Sequence, residues 1–566
     1  MNNSNSSKHR KVNVGIIGGG ASGLVTLKEL LAEGHQGTVF EKSSNIGGIF
    51  NTVYQQGQMV SSNLVTMFGD FVGDEREYND LLKSPRMWTF IEYSKYLVDY
   101  AEKFHLIEHI KLNSAVKSVW RRLEDGKWNV EINDEAQSIY EFDRLAVCSG
   151  THQLRSMPKF KGVTKFQGKI KHLQDVCTFE EFRDKRCCIV GSGESASDMA
   201  LASAKYGKQS FLSIRQDHGV IVKRYGTGSY GPADLGTNRV RYSIPFRLGL
   251  LHVSIMLIPR LLLSFVTPAD TLEKRIIRKQ HEMNFSQLRT SHFRNTYGTK
   301  NAGLVEAILE YHCQRKPAIK ELRERTIVFD DNTEEECDEI VCCTGYENEF
   351  SFLLHTGDEL LMKVANDARI PHNLYKHCIH PEIGDQLFFI GFVRPCFGAI
   401  PPLAEMQARW FALLCSEKLS LPPKETMYQH SQLYVKYLEE YFTPYRTDRI
   451  VNLTDFISYS DDLARLLGCR PNFVEMFFKQ PKLWLKCQLG PMLNAQYRLC
   501  GPHANRKQAE EIILQSKWVY YDFYIYIELF LLFFSSLFYL LFGIKKCKPN
   551  IWYPIVDDTK HEAKRK

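Results

Sequence analysis

Two glycine turns, each set between an apolar run and a helix-like pattern, constrain this chain more than any other feature. In the first, residues 12–17 (VNVGII) read as a buried strand and Gly18-Gly19-Gly20-Ala21-Ser22-Gly23 as the turn. A helical pattern, LVTLKELLAEG, then ends at Gly34, and residues 37–41 form a second strand that closes on Glu41. Gly18, Gly20 and Gly23 keep the G-x-G-x-x-G spacing. The first glycine permits a tight turn, the second lets a pyrophosphate approach the backbone, and the third lets helix and strand pack closely. The unpaired N–H groups at the helix start then hold the phosphate charge. Alone the spacing is weak, but strand, helix and terminal acid all stand where the motif needs them. Glu41 can accept hydrogen bonds from both ribose hydroxyls and would repel a 2′-phosphate. The first site therefore suits an FAD- or NAD-type adenosine.

The second turn follows the strand-like RCCIV of residues 186–190. It reads Gly191-Ser192-Gly193-Glu194-Ser195-Ala196, then a helix, then a strand over 210–215. No acid ends that strand. Ser213 and Arg215 stand there, with Lys223 and Arg224 close behind, and a cation at this place suits the 2′-phosphate of NADPH. Two dinucleotide sites imply hydride passed between cofactors, and one must be a flavin, because two nicotinamides have no useful chemistry between them. A reduced flavin can reduce a disulfide, feed a partner or activate oxygen. The first needs a redox cysteine pair. Among 15 Cys there is no C-x-x-C, which also removes the usual zinc pattern. The vicinal pairs Cys187/Cys188 and Cys342/Cys343 lie in strand-like runs, where a thiol behaves as a small buried hydrophobe in a reducing compartment. Oxygen or a partner remains.

A β-meander over 115–142, turning at Asp125-Gly126, leads into EFDRLAVCSG at 141–150, and ECDEIVCCTG repeats the pattern at 336–345. Two such copies predict two crossings between the same pair of domains. The fold class is thus α/β, with two Rossmann-like dinucleotide-binding domains, the FAD domain interrupted by the NADPH domain, and a C-terminal membrane helix. The predicted divisions are 1–155 and 336–445 for the FAD domain and 156–335 for the NADPH domain, with an insertion at 216–300. A cap follows at 446–522, an anchor at 523–544 and a basic tail at 545–566.

A hydrophobic content of 44% and a mean hydropathy of −0.29 exclude both a disordered chain and a polytopic membrane protein. The +7 charge is spread out and gives no nucleic-acid footprint. The N-terminus has no apolar signal region. Residues 523–544, FYIYIELFLLFFSSLFYLLFGI, form a 22-residue run with Glu528 as its one charge, led in by Trp518, Tyr520 and Tyr521 and closed by Lys545, Lys546 and Lys548. That meets the ~20-residue need of a spanning helix. Residues 244–266 are also apolar, but Arg247, Pro259 and Arg260 interrupt them. An interfacial helix, a channel wall or a buried helix pair all fit there.

The chain resembles the flavin-containing monooxygenases along most of its length. The turn GGGASG with Glu41, the segment Asn45-Ile46-Gly47-Gly48, the fingerprint Phe166-x-Gly168-x-x-x-His172, the second turn with Ser213-x-Arg215, and Thr344-Gly345 within CCTGY all match. Residues 388–410 and the segment YRLCGP at 497–502 are similar to family segments too, the latter seen before the anchor of animal members. Ile49-Phe50 replace the usual aromatic Trp, and Val176 stands where the Baeyer–Villiger relatives place Trp, which argues against that branch. The resemblance implies FAD and NADPH as cofactors and O2 as co-substrate. It implies oxygenation of a soft nucleophile, amine N or sulfide S, by a flavin 4a-hydroperoxide shielded by bound NADP. It places Asn63 near the flavin and nicotinamide, makes His172 a structural link, and puts the protein in the endoplasmic reticulum membrane by a single C-terminal pass. Its partners are then a small nucleophile, O2 and lipid at 523–544, with 244–266 as a second lipid contact to consider. No nucleic acid is expected, and a homo-oligomer is left open. Pro401-Pro402 start a helix on which Glu405 and Arg409 are spaced as an i,i+4 ion pair. Two other readings stand beside the monooxygenase: an NADPH oxidase releasing hydrogen peroxide, and a membrane-docked flavoprotein electron donor.

Overall fold

In the computed structural model, residues 11–517 are described apart from 74–77, 123, 216–220, 222–231, 237, 241–267, 291–298, 355–356, 396–397 and 443–452, together with Phe530. Both glycine turns sit at the centre of a five-stranded parallel sheet. The first sheet runs Leu387–Phe389, Arg144–Val147, Asn13–Ile17, Gln36–Phe40, Ile110–Lys111 across its width. Ile17 pairs with Phe40 on one side and with Val147 on the other. These strands are apolar in runs rather than alternation, as strands covered on both faces must be. The second sheet runs Lys169–His172, Glu339–Cys342, Arg186–Val190, Gln209–Ser213, Gln314–Lys316, again parallel. In each sheet the strand before the glycine turn has its successor on one side and a later strand on the other. That is the switch point where such sheets bind ligands.

The crossings between the two units are the strands Leu154–Arg155 and Tyr346–Glu347, which pair antiparallel with each other. The expected boundary at 335/336 is corrected by this arrangement. Glu339–Cys342 belongs to the second sheet, wedged between Lys169–His172 and Arg186–Val190, so the return crossing falls at 344–346. Its sequence could not say which sheet would hold it, because a buried apolar strand fits either.

The helix of the first turn, Ala21–Ala32, packs on Ile400–Cys415, whose residues from Pro401 to Cys415 are all buried. Helices Phe456–Leu466, Pro481–Leu489 and Arg506–Gln515 join the same hydrophobic core. The expected cap is thus continuous with the first unit, not a separate body. The meander forms as Val116–Arg121, Trp128–Ile132 and Ile139–Phe142, with fully buried Trp128 beneath it. The 13 described cysteines form no disulfide, and burial pushes the thiols of Cys337 and Cys342 up to about 12.

Among the described residues no helix is long and apolar enough to cross a membrane. The expected anchor at 523–544 lies outside the described residues except for Phe530, and so do the apolar stretch 244–266 and the pair Lys223 and Arg224.

Candidate functional site

The first turn is built by close approach. Gly18 has φ +111° and lies where a Cβ would come within 2.6 Å of the Cys148 carbonyl. A Cβ on Gly23 would sit 1.9 Å from the Gly18 carbonyl oxygen. Gly20 faces Gly48, each Cβ position lying 3.6 and 3.2 Å from the other's Cα. The Asn45–Gly48 loop is held there by Gly47 N–H donating to the Gly19 carbonyl at 3.1 Å. Glu41 is buried at the end of its strand. Its Oε2 accepts from Gly19 N–H at 2.7 Å and its Oε1 from Ser43 N–H at 2.8 Å. Both oxygens keep a lone-pair site, so the carboxylate is fixed and can still receive hydroxyl groups. The helix that starts at Ala21 has no side-chain cap, which leaves its first N–H groups for phosphate. Ser22 lies against Gly391, where a Cβ would come 2.0 Å from its Oγ. Residues, backbone and charge fit an adenosine dinucleotide.

The second turn repeats this. Gly191 has φ +126° and abuts the Cys343 carbonyl, whereas a Cβ on Gly193 would meet nothing within 4 Å. That open face lies at the start of the uncapped helix Glu194–Tyr206. Ser192 is buried and its carbonyl accepts from Thr299 Oγ1 at 3.3 Å. Ser195 is half-buried and Ala196 fully buried against the sheet. At the end of the next strand the two expected phosphate ligands differ. Arg215 is exposed, while the Ser213 hydroxyl is turned inward onto the Pro317 carbonyl at 2.8 Å.

The crossings are tied by the fingerprint and the linker. His172 Nε2 donates to the Gly345 carbonyl at 3.1 Å, and its Nδ1 accepts from Gln174 N–H at 3.3 Å. Burial lowers its pKa, so the ring is neutral. Thr344 Oγ1 donates to the Ser156 carbonyl across the same pair of strands. His172 thus ties the two crossings, and Thr344 and Gly345, which the resemblance counts among the cofactor-binding residues, stand at the return crossing.

Asn63 does not present a free amide. Its Nδ2 donates to the Leu81 carbonyl at 2.8 Å and its Oδ1 accepts from Arg86 N–H at 3.0 Å. Fully buried, it clasps residues 81–86 against the end of strand Gln58–Ser62. Its neighbours reach further: Ser61 Oγ donates to the Gly398 carbonyl at 2.8 Å within the first unit, and Ser62 N–H donates across to Asp234 Oδ2 of the second at 2.7 Å.

The expected Glu405–Arg409 pair is replaced. Arg409 donates to the carbonyls of Tyr497 and Pro502 at 2.9 and 2.8 Å. Glu405 instead meets Arg498, whose Nε and Nη2 lie 2.9 and 2.6 Å from Glu405 Oε1. Arg498 also reaches Glu29 at 2.5 Å and Asp70 at 3.1 Å. The three clustered carboxylates thus surround a guanidinium, with Lys28 beside them. This explains the YRLCGP segment: it staples the C-terminal helices to the first unit.

Over residues 10–519 the chain matches the family described as "Flavin-binding monooxygenase-like". The chain belongs to that family. Its cofactors are FAD and NADPH. Among its curated relatives is a 4-hydroxybenzoate brominase (decarboxylating) of Pseudoalteromonas luteoviolacea. It is 31% identical over 511 residues, spanning 88% of this chain and 92% of the relative. Dimethylaniline monooxygenase [N-oxide-forming] 2 of Oryctolagus cuniculus is 30% identical over 509 residues, spanning 86% and 89%. Among solved structures, the S-allyl-L-cysteine S-oxygenase of Allium sativum superposes with a TM-score of 0.56 at 22% identity, covering 84% of this chain and 95% of that one. Within this flavin monooxygenase frame, sequence reasoning missed Ser61, Asp234, Gly391 and Arg498. Gly391 and Arg498 lay in segments that the sequence had singled out, 388–410 and 497–502.

Proposed function

We propose that this flavin monooxygenase uses NADPH and O2 to oxygenate a soft nucleophile, an amine nitrogen or a sulfide sulfur. The observation that carries the reading is the meeting of both nucleotide units in one buried seam, where Ser62 N–H reaches Asp234 and Lys300 Nζ reaches Ser61 beside the start of helix Glu194–Tyr206, with no disulfide among the described cysteines. Bound FAD supplies the oxygen chemistry and NADPH the hydride. This chain's own residues then bind, orient and exclude water. Gly18, Gly20, Ala21, Ser22, Gly23, Glu41 and Gly48 hold the FAD adenosine and pyrophosphate. Gly191, Ser192, Gly193, Glu194, Ser195 and Ala196 hold the NADPH pyrophosphate, and Arg215 takes the 2′-phosphate. Asn63 acts by fixing residues 81–86 that close the seam.

A second reading, oxidation of a phenolic acid, draws on the 31% identity to the decarboxylating brominase over 88% of the chain. The apolar run at 523–544 is the proposed single-pass anchor in the endoplasmic reticulum membrane. The test is to mix the purified protein with NADPH in air, with tertiary amines, thioethers and phenolic acids in turn. Oxygenated product from an amine or thioether, at a rate matching NADPH loss, is the expected result. Peroxide alone would make the protein an oxidase. Failure of NADPH to bleach the flavin's visible absorbance would overturn both. Truncation after Lys517 should release the protein from microsomal membranes; continued sedimentation with them would remove the anchor assignment.

A further inference from the structure

Lys300 crosses the seam. Its backbone N–H donates to Glu194 Oε1 at 2.8 Å, at the first residue of the second glycine-turn helix. Its side chain reaches the first unit, where Nζ donates to Ser61 Oγ at 3.0 Å. The residue is only 8% exposed. Ser61 spends its own hydrogen on the Gly398 carbonyl, so it can only accept from the ammonium. An ammonium carries three donors, and among the described residues this one has a single hydrogen-bond partner. The facing acid is Asp234, 4% exposed. Its Oδ2 is held by Ser62 N–H, while Oδ1 is buried with no hydrogen-bond partner among the described residues. Lys300 and Asp234 feel each other's charge, as Lys300 feels Glu194 and Arg394, but no ion pair joins Lys300 to either acid among the described residues.

A buried ammonium short of acceptors is costly, and a third group between the two side chains relieves it. That group must offer an oxygen acceptor. An anion is attracted by Lys300 and Arg394 and opposed by Glu194, whereas a cationic amine is repelled by the first two; the donors of Lys300 left without a partner among the described residues favour the anion. Burial raises the pKa of Asp234, and an anion beside it raises it further, so Oδ1 can carry a proton and donate as well.

We propose that Lys300 and Asp234 bind an anionic oxygen in the seam between the two nucleotide units, either a phosphate of a bound dinucleotide or the carboxylate of an acidic substrate. The proposal rests on the reading that both cofactors meet at this seam.

The test uses the full-length, FAD-loaded protein and three variants, Lys300→Met, Lys300→Arg and Asp234→Asn. FAD content is measured on each, then benzoate, its methyl ester and NADP+ are titrated against the flavin's visible spectrum. Lys300→Met should weaken one anion at least tenfold, and Lys300→Arg should restore most of it. Loss confined to benzoate, with the ester unaffected, assigns the site to a substrate carboxylate. Loss of NADP+ affinity or FAD content assigns it to a dinucleotide phosphate. If Lys300→Met folds and binds FAD, benzoate and NADP+ within twofold of the parent, the proposal is overturned; so it is if Lys300→Arg fails to restore what Lys300→Met loses. These titrations need no turnover. Absence of flavin reduction by NADPH in the parent protein would therefore count against the proposed function and not against the anion site.

Discussion

Replacing Arg498 by Met should be among the most damaging single changes outside the glycine turns. The guanidinium is 1% exposed and lies within 3.1 Å of three carboxylates, Glu29, Asp70 and Glu405. With Lys28 the cluster holds two fixed positive charges against three negative. Without Arg498 it holds one against three. Burial alone would raise the pKa of Glu29, but Arg498 and Lys28 beside it hold it well below the ordinary carboxylate range. Glu405 keeps bonds from Gly69 N–H at 2.7 Å and from Asn494, yet it loses both bonds to the guanidinium. Removing one partner of a buried ion pair costs about 3–5 kcal/mol, and Lys28 cannot follow to Glu405. Urea unfolding at neutral pH should show that loss. Adding Glu405→Gln to Arg498→Met should recover part of it, with a coupling of roughly 0.5–3 kcal/mol. A loss below about 1 kcal/mol, or strict additivity in the double variant, would refute the account of Arg498 as a buried staple and leave it a bystander of backbone contacts.

Acid should destabilise the protein through its buried imidazoles. Burial pushes His372 down to about 3, and His377 and His430 are also lowered, first by burial. Their folded pKa values lie below the unfolded one, so the stabilising contribution is complete above about 6.5 and is lost as pH falls toward 3. For His372 alone the loss at pH 5 is about 2 kcal/mol; urea midpoints of the parent and His372→Phe should converge between pH 7.5 and 5, and parallel curves would sink the idea. The glycines divide by role. Gly23→Ala forces a Cβ to within 1.9 Å of backbone oxygen and should abolish FAD retention, whereas Gly193→Ala has open space and φ −83°. Gly193→Ala should therefore keep its FAD and melting temperature but bind NADP+ at least tenfold more weakly, and unchanged NADP+ affinity would remove that turn as the pyrophosphate site. Asn63→Asp sets a carboxylate against the Leu81 carbonyl, so it should cost roughly 1–3 kcal/mol and raise the share of NADPH spent on peroxide; a variant as stable and as coupled as the parent would show the clasp to be dispensable.

What could be read in the sequence was whatever a short stretch of chain decides by itself. Gly18, Gly23 and Gly191 announce their turns because only glycine fits the backbone there; the flanking strands formed within two residues of expectation, and both helices began three residues earlier, at Ala21 and Glu194. Partner choice was not legible. Glu339–Cys342 reads as a buried strand, but pairing with strands over 150 residues upstream fixes which sheet receives it. Glu405 and Arg409 have ideal local spacing, yet both are taken by the segment around Arg498: Arg409 is spent on the carbonyls of Tyr497 and Pro502, and Glu405 pairs with Arg498. Ser213 was seen at the end of its strand and Asn63 only through the resemblance, while the direction of their side chains depended on Pro317, Leu81 and Arg86. Lys300 had no local pattern to mark it; burial alone makes it conspicuous.

The paired crossing strands Leu154–Arg155 and Tyr346–Glu347 have a consequence for assembly. The second nucleotide unit leaves and returns through neighbouring rungs of one small ladder, about 4.8 Å apart. Closing so long an excursion, about 190 residues, costs roughly 4–5 kcal/mol of chain entropy, and His172, Thr344 and the ladder hold it shut where it begins. To the first unit the whole excursion is topologically a surface loop. An interruption of that form is one a gene can acquire, lose or exchange as a cassette, with the strand Asn13–Ile17 and its neighbours left in register on either side of it.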